Sequence, residues 1–476
     1  MSINKLLITM SLPMMISMLV QSMYNIVDSI FVARFSDKAL TAVSLCFPVQ
    51  TLMIAFAAGT SIGINSILSR KLGEGDKRSA TLVATNGIVL GFLTSLVFAL
   101  AGGLSAHKIF GFFTKDAVII DMAAQYMWIC TVFSLGSFMQ IVAEKLLIST
   151  GKTLFSMSSQ ILGAVVNIIL DPIFIFGIGV PQMGIAGAAI ATVIGQWCAM
   201  IFAFILNATK NKEISISFKG FRLDGAIIRE IYKVAIPSII MQSIISIMTV
   251  GMNKILANDT AISVFGVYYK LHSFIFMPIF GLTGALIPIV AYNFGARQHD
   301  RIIKATHLAL IIALSIMALG TVLFEFFPKF FLEIFNADSG LITMGVPALR
   351  IICTGFCFSG FSIVFSSCQF RQSIFLLLLW KMCCTVFTIS LFFQISNLFC
   401  HGFFQHFFLF PKFPEKIRQH NGALLLQNTT NHFYLMIESV HFQKVQHRAC
   451  TSCFGIHASD YHTVNAGLHK STCAHL

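Results

Sequence analysis

Ten stretches before residue 368 stay apolar for about 20 residues or more, the length that crosses the roughly 30 Å hydrocarbon layer of a bilayer. They run Leu6–Phe35, Leu40–Leu68, Thr81–Ala101, Met122–Ile148, Leu154–Ile178, Gly184–Leu206, Ile231–Leu256, Ala261–Tyr292, Ala305–Phe327 and Leu341–Phe365. At that depth no water satisfies backbone N–H and C=O groups, so each stretch is expected to close its own hydrogen bonds as a helix. Only 11% of the 476 residues are charged, against about 25% in a soluble domain. The fold expected is an all-α polytopic membrane protein. The first stretch is too long for a secretory leader and lacks a small-residue cleavage pattern, so no cleaved signal is expected.

A net charge of +13 would suit nucleic acid or another acidic partner if it formed a patch. It alternates instead. Arg70, Lys71, Lys77 and Arg78 follow the second stretch, and Lys145, in the last turn of the fourth, and Lys152 beyond it go with the next loop. Lys210, Lys212, Lys219, Arg222, Arg229 and Lys233 follow the sixth, then Arg297, Arg301 and Lys304 the eighth. The intervening loops hold fewer, such as Lys38, Lys115 and Lys329, diluted by Asp37, Asp116 and Asp338. Basic loops stay in the cytoplasm, which places the N-terminus there. The expected surrounding is the lipid bilayer, with no nucleic acid.

The chain reads as two copies. Ser11-Leu12-Pro13-Met14 opens the first and Ala235-Ile236-Pro237-Ser238 the second, while Arg70-Lys71-Leu72-Gly73 has its counterpart in Tyr292-Asn293-Phe294-Gly295. With six crossings between them, the copies run in the same direction, a parallel repeat about an axis normal to the membrane. Two pseudo-symmetric helical lobes are expected, 1–208 and 230–367, joined by a cytoplasmic linker over 209–229. The second lobe has four recognisable helices. Beyond it, 369–476 holds ten of the 14 His and six of the 12 Cys, and only Ser373–Phe399 stays apolar enough to span. The segment 368–476 therefore reads as an aberrant tail, which leaves the second lobe incomplete.

Two aspartates lie inside the apolar runs, Asp28 in Tyr24-Asn25-Ile26-Val27-Asp28 and Asp171 in Asn167-Ile168-Ile169-Leu170-Asp171-Pro172. An acid at the centre of a spanning helix costs about 2.5–3.5 kcal/mol on insertion scales unless neutralised, paired or facing a wet cavity. Tyr24 and Asn167 stand four residues earlier, so each acid shares a helix face with a polar partner. Desolvation disfavours the charged form, which suits a group that takes and releases a proton. Equally, Asp28, Asn167, Asp171 and the Thr192 hydroxyl offer hard oxygen ligands to a small cation. A network that only fixes helix packing would use the same residues, although two acids without a basic partner make poor glue. Pro13 interrupts the helix that carries Asp28, as a hinge or as a static kink. The second copy has no acid at mid-depth, so coupling chemistry belongs in the first.

Other motifs carry less. The stripe Gly184, Gly187, Ala188, Ala189, Ala191 and Gly195 fits close helix packing, as do Gly59 and Gly63. Gly73-Glu74-Gly75 lacks the lysine and strand of a phosphate loop, which argues against ATP-driven work by this chain. Lys270 and Arg350 fall within spans and fit snorkelling or carbonyl contacts. Cys46, Cys130, Cys198, Cys353 and Cys357 stand singly and read as small hydrophobes. Cys450-x-x-Cys453-x-x-x-His457 has zinc-like spacing in a tail where chance supplies it, and Asn428-Thr429-Thr430 is a formal glycosylation acceptor. No metal and no cofactor are expected. Nor is an enzyme, since no His/Glu metal pattern or Ser/His pair occurs at membrane depth. A passive channel would want a symmetrical pore lining, which unequal halves do not offer.

At Leu12-Pro13-Met14-Met15, Tyr24-Asn25-Ile26-Val27-Asp28, Ser69-Arg70-Lys71-Leu72-Gly73, Asn167-Ile168-Ile169-Leu170-Asp171-Pro172, Gly184-Ile185-Ala186-Gly187-Ala188-Ala189 and Pro288-Ile289-Val290-Ala291-Tyr292-Asn293-Phe294 the chain resembles the multidrug and toxic compound extrusion family, near its bacterial multidrug export proteins. The resemblance covers about residues 6–367. It implies twelve helices in two six-helix lobes that rock between inward- and outward-open states. It implies antiport: amphiphilic, often cationic drugs leave as sodium or protons enter. Asp28, Asn167 and Asp171 would form the cation site, with Pro13 as bending point and Gln21, Tyr24 and Thr192 as neighbours. A monomer in the bacterial inner membrane, serving xenobiotic efflux and antibiotic resistance, is implied too. A lipid-linked or polysaccharide flippase shares the architecture, but would want a basic cavity that these spans hardly supply. The family's eleventh and twelfth helices are not recognisable after Cys368. The texture there is that of a reading-frame change in the gene, which resequencing to an intact frame would overturn.

Overall fold

The computed structural model describes residues 1–111, 116–214, 223–255, 259–333 and 339–367. The apolar run Ser373–Phe399, the Cys450/His457 spacing, the Asn428 acceptor, part of the linker and the Lys270 side chain lie outside the described residues. Among the described residues thirteen helices follow one another: α1 Ile3–Phe35, α2 Asp37–Gly73, α3 Lys77–Gly111, α4 Ala117–Val132, α5 Leu135–Ser149, α6 Thr153–Phe176, α7 Ile185–Lys210, α8 Gly225–Ile255, α9 Asp259–Gly295, α10 His299–Phe326, α11 Pro328–Glu333, α12 Ser339–Cys353 and α13 Phe356–Ser367. Within the described residues every expected stretch is helical, the fourth and the tenth with a break. Among the described residues seven single helices are long and apolar enough to cross a membrane, or nine when the pairs α4–α5 and α12–α13 each count as one span bent by 46°. Leu93, Leu96, Val97, Leu100 and Leu104 of α3 stay exposed, a face suited to lipid.

No proline marks the bend between α4 and α5. A side chain inserted into a helix ladder is one of the recognised causes of such a break, and here it is Trp197 of α7. Its indole lies against the backbone of Gly136 and donates from Nε1 to the Phe133 carbonyl at 3.3 Å.

The two copies end their second and ninth helices in the same turn. Glu74 N, Gly75 N and Asp76 N donate to Arg70 O, Leu72 O and Lys71 O; Ala296 N, Arg297 N and Gln298 N donate to Tyr292 O, Phe294 O and Asn293 O. This is a Schellman turn, which needs a left-handed residue just past the helix. Gly75 fills it at φ 78°, whereas Arg297 fills it at φ 56°, as the one non-glycine at positive φ among the described residues. A side chain in that conformation costs about 1–2 kcal/mol. Arg297→Gly is therefore expected to raise stability by about 1 kcal/mol, read as a higher melting temperature in detergent.

The halves meet where α2 packs on α8 and α9, and α1 on α9. Glycines make the approach possible. Gly59 lies against Ile239 and Gly63 against Ile231 O and Ala235, while Gly281 lies against the backbone of Met14. Gly73 meets Tyr292 O and Gly295 meets Arg70 O, a reciprocal contact between matching positions of the repeat. All of these contacts sit toward one pole. The basic loops gather there: Ser69 Oγ bonds Ser149 O at 3.3 Å, Lys152 Nζ bonds Asn211 Oδ1 at 3.5 Å, and Arg301 reaches Met1 O at 3.4 Å. The halves are sealed together at this basic pole.

Within this frame α1 serves both halves. Ile3, Leu7, Met10 and Met14, on one face at the basic pole, bury with Ile279, Leu282 and Leu286 of α9. Its far end, at Val32, joins a separate core with Ala42, Tyr126 and Ile175.

Candidate cation site

α6 carries Asn167 and Asp171 on one face, 2% and 0% exposed. Asn167 Nδ2 donates to Asp171 Oδ1 at 3.2 Å and to Thr192 Oγ1 of α7 at 3.3 Å. The small-residue stripe of α7 explains that reach. Gly195 sits against Gly163 O and the Asn167 side chain, so the two helices approach closely enough for Thr192 to meet Asn167. From α1, the Tyr24 hydroxyl faces Thr192, with Asp28 and Asp171 within electrostatic range of it and of each other.

Asp28, Asn167, Asp171, Thr192 and Tyr24 are thus brought together from three helices. Gln21 is exposed and outside these contacts. Tyr24 and Asp28 share one face of α1 within electrostatic range, and the Tyr24 hydroxyl takes its hydrogen bond from the Thr192 hydroxyl of α7. Pro13 lies in the basic-pole half of α1, next to the Met14 backbone that rests on Gly281. Pro172 has no N–H, so the carbonyl one turn before it also lacks its helical donor.

Asp28 Oδ1, Asn167 Oδ1 and Asp171 Oδ2 are buried with no hydrogen-bond partner. Buried acceptors are nearly always satisfied. Three unsatisfied oxygens within one cluster make a place that wants a proton or a small cation.

Spacing within single helices missed further polar groups. Gln50 Nε2 of α2 lies 3.3 Å from the Tyr126 hydroxyl and 4.0 Å from Cys130 Sγ, and both α4 residues lie within range of Asp28. Tyr126 and Cys130, four apart in an apolar run, were the available signal. Lys145 belongs to α5 and not to a loop, because the helix runs on to Ser149. Beside it is a third acid, the buried Glu144. Among the described residues no group of three His, Cys, Asp or Glu could hold a metal.

In the second half, His272 stacks on Phe276 at 3.6 Å among Tyr268, Tyr269 and Phe356, and Phe47 of α2 meets Tyr269 edge-on at 6.1 Å. Arg350 donates to Glu325 O at 3.1 Å.

The MatE family profile matches residues 13–173 and again residues 235–395, once on each copy of the repeat. The chain belongs to the MatE family. MatE proteins are membrane transporters, not enzymes. This MatE chain is similar to the multidrug export protein MepA of Staphylococcus haemolyticus, 26% identical over 370 residues that cover 77% of this chain and 80% of that one. It is also similar to the FAD transporter of Shewanella oneidensis, 26% identical over 339 residues, 71% of this chain and 75% of that one. Among solved structures it is similar to the outward-facing conformation of a multidrug resistance MATE family transporter of the MOP superfamily. That likeness has 25% identity and a TM-score of 0.73 over 77% of this chain and 82% of the other.

Proposed function

We propose that this MatE protein is a cation-coupled antiporter that exports amphiphilic, often cationic drugs by alternating access. The observation that carries the reading is the set of donor-starved oxygens on Asp28, Asn167 and Asp171. Loading by sodium or a proton satisfies them and draws α1 and α6 together. Because α1 also lies in the core of the second half, a shift at Asp28 changes the contact between the halves. Coupling works only if cation and drug prefer different conformations, and α1 supplies the link.

With basic loops in the cytoplasm, the sealed pole faces inward and the conformation is outward-facing. The N-terminus is then cytoplasmic, the membrane is the bacterial inner membrane, and the working unit is a monomer. The aromatic groups around His272 and Tyr269 support the substrate class, since a cation over an aromatic face gains about 0.5–2 kcal/mol. A flippase for anionic lipid-linked sugars is less favoured, because Arg350 is engaged at the exposed end of α10.

Dye efflux from vesicles, driven separately by a sodium and by a pH gradient, tests the proposal and identifies the ion. Dye retained under both gradients would overturn it. Thr192→Val removes the hydroxyl that holds Asn167 and Tyr24 in place. A hydrogen bond is worth about 0.5–1.5 kcal/mol, so the half-saturating cation concentration is expected to rise by roughly 2- to 12-fold, with drug binding unchanged.

A further inference from the structure

Glu144 is 3% exposed inside α5. Gln140 Nε2 donates to its Oε1 at 2.9 Å, Gln160 Nε2 of α6 to its Oε2 at 2.7 Å, and Ser159 Oγ lies 3.4 Å from Oε1. The charge that acts on it is its half-buried chain neighbour Lys145. Adjacent residues on a helix do not face each other, so Lys145 does not close an ion pair across the site. The groups shown facing Glu144 across the helix contact, Ser159 and Gln160 of α6, are uncharged.

The cage suits both charge states. Gln140, Gln160 and Ser159 present donors to a carboxylate. Gln160 Oε1 is buried without a partner, and turning that amide over would present the oxygen to a protonated Glu144. Gln160 also shares one face of α6 with Asn167 and Asp171, at seven- and four-residue spacings. Gln160 lies about 10 Å along the axis from Asn167, toward the basic pole. Gln160 Oε1, Asn167 Oδ1 and Asp171 Oδ2 all lack donors, so a row of unsatisfied acceptors runs from the cation site to Glu144.

We propose that Glu144 is a second proton-exchange carboxylate, an inner station between the Asp171 site and the basic pole. A proton leaving Asp171 is carried by water along the α6 face, protonates Glu144, and is released to bulk water at that pole. The direction of flow rests on the antiport reading. The exchange at Glu144 does not.

The test is infrared difference spectroscopy on the full chain in liposomes, between alkaline and acid pH. Glu144→Gln, Glu144→Asp, Asp28→Asn and Asp171→Asn are compared with the native protein. One protonated-carboxyl band is expected to vanish in Glu144→Gln, to move in Glu144→Asp, and to persist in both aspartate variants. Efflux driven by a pH gradient should fall at least about fivefold in Glu144→Gln, the lower end of site-to-site coupling, and recover partly in Glu144→Asp. Identical bands in the native protein and Glu144→Gln would overturn the proposal. Should Glu144→Gln fold poorly, Glu144→Asp decides, since an unmoved band overturns it equally. If the aspartate variants export normally while the Glu144 band stands, the antiport reading falls and the exchange site survives.

Discussion

Asp171→Asn and Asp28→Asn are each expected to cut gradient-driven efflux by about 100-fold, near the upper end of the free-energy coupling between two binding sites. The reason lies in what the substitution supplies. Asparagine keeps the shape of the side chain but brings N–H donors into a cluster whose buried oxygens have none. The variant site is satisfied without a cation and behaves as if permanently loaded. Drug binding measured without any gradient should then be weak and insensitive to sodium and pH, where the native protein responds to one of them. The two variants should resemble each other, because Asp28 and Asp171 lie within range of one another. Normal gradient-driven efflux in both would remove the coupling assignment, whatever the fate of other residues.

The second large effect is expected at the seal. Gly73 and Gly295 face backbone carbonyls, Tyr292 O and Arg70 O, which cannot swing aside as a side chain can. Gly73→Ala with Gly295→Ala should force the basic poles of α2 and α9 apart. Overpacking costs about 1–3 kcal/mol per site, and each 1.4 kcal/mol is about tenfold in a conformational ratio. The population open at the basic pole should therefore rise by at least about tenfold, seen as longer distances between spin labels on α2 and α9. Gly225→Ala, whose added methyl meets nothing within 4 Å, is the control. An unchanged distance distribution in the double variant would show that the reciprocal contact does not hold the seal.

Much of this was legible in the chain because hydrocarbon leaves little choice. Apolar runs of spanning length became helices, and the paired strings around Gly73 and Gly295 became matching turns. Asn167 and Asp171, four apart, bond as helical spacing requires. Contacts between helices were less legible. Tyr24 shares a face with Asp28, but the hydroxyl it meets comes from α7, and no spacing within α1 encodes that. Gln50, Tyr126 and Cys130 assemble from α2 and α4 for the same reason. Gln21 has the right phase on α1 yet stays exposed, since phase does not tell how far a neighbouring helix extends. Glu144 was hidden beside Lys145, whose charge counts with the basic loops even though the apolar run continues to Ile148.

The placement of α1 in two separate cores has a consequence for thrift. Parting the halves at the basic pole would strip Ile3, Leu7 and Met10 from α9, at about 1.5–3 kcal/mol for each side chain returned to water. An idle carrier is thereby latched by its own first helix. On the antiport reading proposed above, that latch keeps the ion gradient from being dissipated when no cargo is aboard.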